Sequence, residues 1–159
     1  MGMSEYFARL RRCLGHDLIL NPGAAACIRD PAGRILLLHR NEAGGLWSFP
    51  GGAMDPGESI ADTVVREVRE EIGLEVEPVA VIGVYSGPGF AITYPNNDRV
   101  QPVTIFFECR VLEGELRPDL DEILEGRYFG PEDALPPMYP CCAAKMKDAI
   151  EFDGRAAFR

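Results

Sequence analysis

Residues 51–74 read GGAMDPGESIADTVVREVREEIGL, a loop marked by glycine and proline that runs directly into a periodic segment. Ser59 with Asp62 three residues on suits an N-cap, Ile60, Val64, Val68 and Ile72 recur every four residues, and Gly73 supplies a stop. The segment is therefore expected to be a helix with one buried face. Within it, REVREEIG at 66–73 crowds Glu67, Glu70 and Glu71 together. Like charges three and four apart on a helix oppose folding by about 0.2–0.5 kcal/mol per pair. On a wheel of about 100° per residue, Ala61, Val64, Val65, Val68 and Ile72 share one arc, the glutamates take the adjoining one, and Arg66 and Arg69 fall farther round. The carboxylates are thus placed at the margin of the buried stripe, where unpaired charge is costly.

Taken alone, REVREE also reads as a solvated mixed-charge face with an exposed Arg66–Glu70 ion pair. The preceding loop favours a metal ion as the compensating charge. Gly51 and Gly52 let backbone approach a ligand, Pro56 and Gly57 shape a turn, and Glu58 arrives just before the helix.

Working outward, 159 residues with 47% hydrophobic content fit one compact domain spanning 1–159. SEYFARLRRCLG has apolar residues at Tyr6, Phe7, Leu10 and Leu14 and ends at Gly15, which predicts a short helix over about 4–14. AAACIRD and RILLLHR, joined by Pro31, Ala32 and Gly33, are expected to form a β-hairpin. GLWSFPGGAMDPGES is read as an ordered loop. VEPVAVIGVYSG and VQPVTIFFECRVL predict two buried strands, with Pro102 pointing to a sheet edge or strand start. EGRYFGPEDALP suggests a strand and turn. PCCAAKMKDAIEF suggests a closing helix over about 140–152, with Ala144, Met146, Ala149, Ile150 and Phe152 available for burial.

Charge and composition narrow the function classes. A net charge of −9 argues against tracking a nucleic-acid backbone. An acidic protein can still hold a small phosphate ester through local arginine, lysine or divalent metal. No apolar run reaches membrane-spanning length, and His16 and Asp17 interrupt the basic start where a secretory segment would be apolar, so a cytoplasmic location without membrane partners is expected. The five cysteines have neither disulfide-framework nor zinc-finger spacing.

The 51–74 segment closely resembles the signature of the Nudix hydrolase family, to which MutT-like proteins and ADP-ribose pyrophosphatases belong. From Gly52 it runs through five residues to Glu58, seven more to Arg66-Glu67, then Val68, Arg69, Glu70-Glu71, Ile72, Gly73 and Leu74. The resemblance implies an α/β/α sandwich around a mixed β-sheet and a hydrolase that uses Mg²⁺, or Mn²⁺ in its place. The reaction implied is cleavage of a pyrophosphate bond in a nucleoside diphosphate linked to another moiety. By matching position, Glu67, Glu70 and Glu71 would be metal ligands, with one of them activating the attacking water. Arg66 and Glu58 would orient and balance them. The catalytic set so implied is Glu58, Arg66, Glu67 and Glu70. Exchange of Glu70 or Glu71 for Gln is expected to spare the fold and remove most Mg²⁺-dependent turnover. A further metal carboxylate is expected from PDLDEILEGRYF, where Glu122 is chosen over Asp119, Asp121 and Glu125.

Substrate contacts are sought outside that signature. Trp47 and Phe49 flank the glycine loop, Phe90 and Tyr94 lie beside turn-forming residues, and aromatic faces there can stack a purine. Arg40, at the end of ILLLHR, is placed to meet a phosphate; Arg99 is a weaker candidate, and Gly51 and Gly52 offer backbone. Pro88 lies near a proline of some ADP-ribose-cleaving relatives, which favours ADP-ribose or a nucleotide sugar. Dinucleoside polyphosphates and modified nucleoside triphosphates are the alternative. Less favoured are an isoprenoid diphosphate isomerase, for which no cysteine has a supporting context, and a non-catalytic Nudix-like module, in which box glutamates are commonly eroded. The two terminal helices offer a surface for a homodimer.

Overall fold

The computed structural model describes residues 5–41, 45–94 and 96–159. Its elements in chain order are α1 (Glu5–Leu14), β1 (Leu18–Ile28), β2 (Ile35–Arg40), β3 (Trp47–Ser48), β4 (Gly51–Ala53), α2 (Ile60–Ile72), β5 (Leu74–Tyr85), a 3₁₀ turn (Pro88–Phe90), β6 (Ile92–Thr93), β7 (Arg99–Gly114), β8 (Ile123–Phe129), α3 (Pro140–Ile150) and β9 (Ala157–Phe158). A mixed sheet runs in the order β4-β1-β7-β5-β9, with β6 alongside β7, and a smaller sheet runs β3-β2-β8. β1 and β7 are parallel from Leu18↔Arg99 to Ile28↔Cys109, whereas β7 and β5 are antiparallel.

Apolar runs become strands covered on both faces because successive side chains point to opposite sides. Along β1, Ala24, Ala26 and Ile28 join the core under α2, which also holds Val64, Val68 and Ile72. Ala25 and Cys27 join the opposite core, where α3 contributes Cys142, Met146 and Ala149. Helices on both faces make the expected α/β/α arrangement. Among the described residues, no helix is long and apolar enough to cross a membrane.

α2 forms as its sequence dictates. Ser59 Oγ accepts from the Asp62 N–H, the Asp62 carboxylate accepts from the Ser59 N–H, and Gly73 closes the helix at φ 72°. α1 spans Glu5–Leu14, buries Phe7 and leaves Tyr6 and Leu14 exposed.

Four expectations are corrected. The hairpin between 24–30 and 34–40 closes only at its tip, through the Arg29↔Ile35 bridge and the Asp30 N–H to Arg34 carbonyl bond of 3.0 Å. Beyond it the strands part into different sheets, because β1 is taken by β4 and β7 while β2 pairs with β3 and β8. Pro102 lies near the start of β7, as expected, but β7 is interior. Pro102 pairs with Asn21 on one side and falls between the pairings to β6 and β5 on the other. The supposed loop at 45–59 contains two short strands, β3 and β4. In α3, Ile150 is 54% exposed, whereas Lys145 and Asp148 are buried.

The buried Asp148 ties the chain end to the core. It accepts from Tyr85 Oη at 2.7 Å and from Arg159 at 2.7 and 2.6 Å, while β9 pairs in parallel with β5. The Arg159 guanidinium, aided by Tyr85, holds the Asp148 carboxyl below its ordinary value. A depressed carboxylate stabilises the fold above its unfolded pKa, and that contribution is lost as pH falls through the folded value. Asp148→Ala should therefore cost about 1–3 kcal/mol at pH 7, chiefly by leaving the buried Tyr85 hydroxyl without its acceptor, since Arg159 is partly exposed to water. Denaturant melts at pH 7 and pH 3 should show the gap from wild type narrowing in acid; a gap that is constant with pH contradicts this.

Candidate active site

Glu67 and Glu71 stand one helical turn apart on α2 and are only 5% and 2% exposed. The helix margin is thus more deeply buried than the wheel suggests, and only Glu70 reaches solvent, its side chain 40% exposed. Each buried carboxylate has a built setting. Gly51 N–H donates to Glu71 Oε2 at 2.9 Å, and Arg40 pairs with Glu71 Oε1. Arg40 is itself fixed by donating to Ser48 Oγ at 2.9 Å and to the Gly51 carbonyl at 3.2 Å.

Gly52 packs against the Glu67 carboxylate so closely that an added Cβ would lie 2.6 Å from its carboxyl atoms. Gly51, at φ 139°, has backbone of Ala24 and Ala25 where a Cβ would go. Here the two glycines are steric requirements, and they bring main chain directly against both carboxylates.

Arg66 knits the remaining acids together. It donates to Glu58 Oε1 at 2.5 Å and Oε2 at 3.1 Å, to Glu67 Oε1 at 2.8 Å, to Glu70 Oε2 at 3.1 Å and to the Ala53 carbonyl at 3.0 Å. Glu58 also accepts from Asp55 N–H and Thr63 Oγ1, which fixes the loop to the first turn of α2. The Arg66 hydrogen bonds hold Glu58 down at about 2. Burial instead raises Glu67 and lifts Glu71 to about 7, with Arg66 and Arg40 respectively opposing the rise.

A cavity of about 740 Å³ opens onto Glu67, Glu71, Arg40, Arg66 and the two glycines, with Glu122, Phe49 and Tyr94 also in its wall. Glu122 reaches this wall from the loop before β8, where its carbonyl accepts from Asn41 N–H at 2.8 Å. Glu70 and Glu58 border the cluster through Arg66 and are not in the cavity lining. Among the described residues, no three His, Cys, Asp or Glu side chains are gathered as a metal-binding group; the guanidinium groups of Arg66 and Arg40 interleave the carboxylates.

Two aromatics expected at the site lie elsewhere. Trp47 is 6% exposed, stacked on His39 at 5.0 Å, edge-on to Phe129 at 5.3 Å and capped by Arg127. Phe90, in the 3₁₀ turn begun by Pro88, meets Tyr85 edge-on at 6.0 Å. Neither lines the cavity: Trp47 is enclosed by His39, Phe129 and Arg127, and the turn folds Phe90 back onto the core. Arg99 is also absent from the wall; its carbonyl accepts from Arg11 at 2.8 Å.

Sequence reasoning missed the opposite wall, where α3 contributes Cys141, Cys142 and Lys145. The available signal was a lysine three and four residues after the two cysteines, adjoining Met146 on the stripe that should be apolar.

Comparison with known proteins adds independent findings. The family model described as NUDIX domain matches residues 20–149. The ADP-ribose pyrophosphatase of Methanocaldococcus jannaschii is 34% identical over 129 residues, which cover 79% of this chain and 72% of that protein. The NAD-capped RNA hydrolase NudC of Pseudomonas aeruginosa is 36% identical over 94 residues, 59% of this chain and 30% of that protein. Among solved structures, an ADP-ribose pyrophosphatase from Streptococcus suis superposes with a TM-score of 0.68 at 32% identity, covering 87% of this chain and 98% of that one.

Proposed function

The chain belongs to the NUDIX domain family, and from that premise we propose that it hydrolyses the pyrophosphate bond of a nucleoside diphosphate linked to another moiety, with ADP-ribose or a nucleotide sugar as the favoured substrate. The observation that carries this reading is the pair of buried carboxylates, Glu67 and Glu71, held against Gly52 and Gly51 at the floor of a cavity large enough for a nucleotide. Names of relatives support the substrate class, since two proteins that align over most of their own length are ADP-ribose pyrophosphatases.

The donor set fits a divalent cation. Hard oxygen ligands suit Mg²⁺ and Mn²⁺, and two carboxylates raised by burial gain from a cation beside them. Glu67 and Glu71 would hold it; Glu70 and Glu122, the further ligands expected from the sequence, are not gathered with them into one group among the described residues. When bound, such an ion neutralises diphosphate charge and makes a coordinated water more acidic.

The protein's own groups supply position and charge, on which phosphoryl chemistry chiefly depends. Gly51 N–H and Arg40 fix both oxygens of Glu71. Arg66 fixes Glu67 and Glu70 from the side and ties them to Glu58, so Arg66 and Glu58 are positioning residues. The proton lost by the attacking water passes to a carboxylate of this cluster; a raised carboxylate is the better acceptor near neutral pH. Arg40 faces the substrate phosphates, while Tyr94 offers ring surface to the base and Phe49, packed on Phe106, backs the cavity wall.

The test is a panel of ADP-ribose, nucleotide sugars, dinucleoside polyphosphates and nucleoside triphosphates with Mg²⁺ in ¹⁸O-labelled water. Hydrolysis with label in one phosphate product is expected, most efficiently for ADP-ribose or a nucleotide sugar. No turnover across the panel would leave a ligand-binding module. The thiols in the cavity wall make isopentenyl diphosphate a further member of the panel; its isomerisation would replace the hydrolase reading.

A further inference from the structure

Lys145 is 5% exposed and lines the cavity, yet among the described residues no carboxylate forms an ion pair with it. Its ammonium lies 5.6 Å from the centre of the Tyr85 ring. The nearby acid, Asp148, is already engaged by Tyr85 and Arg159. A buried charge lacking a counter-charge costs several kcal/mol, and a cavity that opens onto it lets a ligand provide one.

Lys145 belongs to α3, an eleven-residue helix that begins with Pro140, and side chains on a helix lean back toward its N-terminus. In that first turn Pro140 has no N–H and the Cys142 N–H donates to the Tyr139 carbonyl at 2.8 Å, so the positive charge of this wall rests on Lys145.

We propose that Lys145, in the cavity wall formed by α3, makes a specificity-determining subsite for an anionic group, phosphate or carboxylate, that the substrate carries away from the diphosphate to be cut. The proposal rests on the hydrolase reading for the identity of that substrate, but the anion subsite has a readout of its own. The cavity carries Glu67 and Glu71 from α2, already paired with Arg66 and Arg40, and Lys145, unpaired among the described residues, from α3, whose core lies on the other side of the sheet. A nucleotide sugar bearing an acid or an extra phosphate matches both, the diphosphate going to the floor and the second anion to the wall.

The test compares the full-length wild type with Lys145→Met and with Lys145→Gln, the latter covering a failure of the former to fold. Two substrate pairs differ by one anion: UDP-glucose against UDP-glucuronate, and ADP-ribose against its phosphorylated derivative. Wild type should show a KM about tenfold lower for the anionic member of a pair, equivalent to about 1.4 kcal/mol. In the variants that ratio should fall to near one while kcat for the uncharged member is kept. Independently, inorganic phosphate alone should raise the melting temperature of wild type and slow alkylation of Cys141, read by peptide mass, and both effects should be lost in the variants. Equal KM ratios in wild type and variants, with phosphate effects also equal, overturn the proposal. If wild type cuts no nucleoside diphosphate derivative, the hydrolase reading fails and the phosphate measurements alone decide the subsite.

Discussion

Glu71→Gln is expected to lower Mg²⁺-dependent kcat/KM by about 10³-fold, close to 4 kcal/mol of lost transition-state stabilisation. Gln keeps a side-chain oxygen for the Gly51 N–H but loses the negative charge that faces Arg40 and the cavity. Glu70→Gln should lose turnover on a similar scale. Its signature differs, because Glu70 is the exposed member of the cluster and its removal should leave the melting temperature nearly unchanged. Steady-state kinetics and thermal melts on the two variants separate the cases; unchanged turnover in both contradicts the assignment of this cluster to the chemistry.

Arg66→Met should be the most disruptive change for the site's architecture. One guanidinium bonds to three carboxylates and the Ala53 carbonyl while only 16% exposed. Removing it leaves Glu58, Glu67 and Glu70 without their shared counter-charge, at a cost of about 3–5 kcal/mol. Arg66→Lys keeps the charge but cannot reproduce the planar fork that engages both oxygens of Glu58, so it should fall between Met and wild type in stability and in kcat. Chemical denaturation across the series tests this, and equal stability of all three proteins contradicts it.

How much of this was legible in the sequence depends on how local each interaction is. The helix α2 is fully local: the Ser59–Asp62 capping box, four-residue apolar spacing and Gly73 lie in one continuous stretch, and the structure forms each of them. The cluster around Arg66 is nearly as local, since Glu58, Glu67 and Glu70 are within eight residues of it. Strand existence could be read from apolar runs, but strand partners could not. Pairing Leu18 with Arg99 requires two distant segments to meet, and no spacing within either announces that. The hairpin expectation failed for the same reason: the turn at Asp30–Arg34 is local and real, while the competition for the edges of β1 and β2 is not.

The cavity repeats this division. Its floor is readable from the contiguous carboxylates and glycines, and Glu122 only as one of four acids in a single stretch. Its far wall depends on α3 folding back across the sheet from nearly the end of the chain, so Lys145 was invisible as a site residue. Trp47 shows the converse error. A loop tryptophan beside glycines suggests ligand stacking, but pairing of β3 with β2 sets it against His39 and into the core.

Titration calorimetry with Mg²⁺ and Mn²⁺, in the presence of a non-hydrolysable diphosphate analogue, probes the central assignment most directly. Wild type should take up the ion with a measurable heat, and a Glu67→Gln, Glu71→Gln double variant should not. Absence of ion uptake by wild type with the analogue bound would contradict the account.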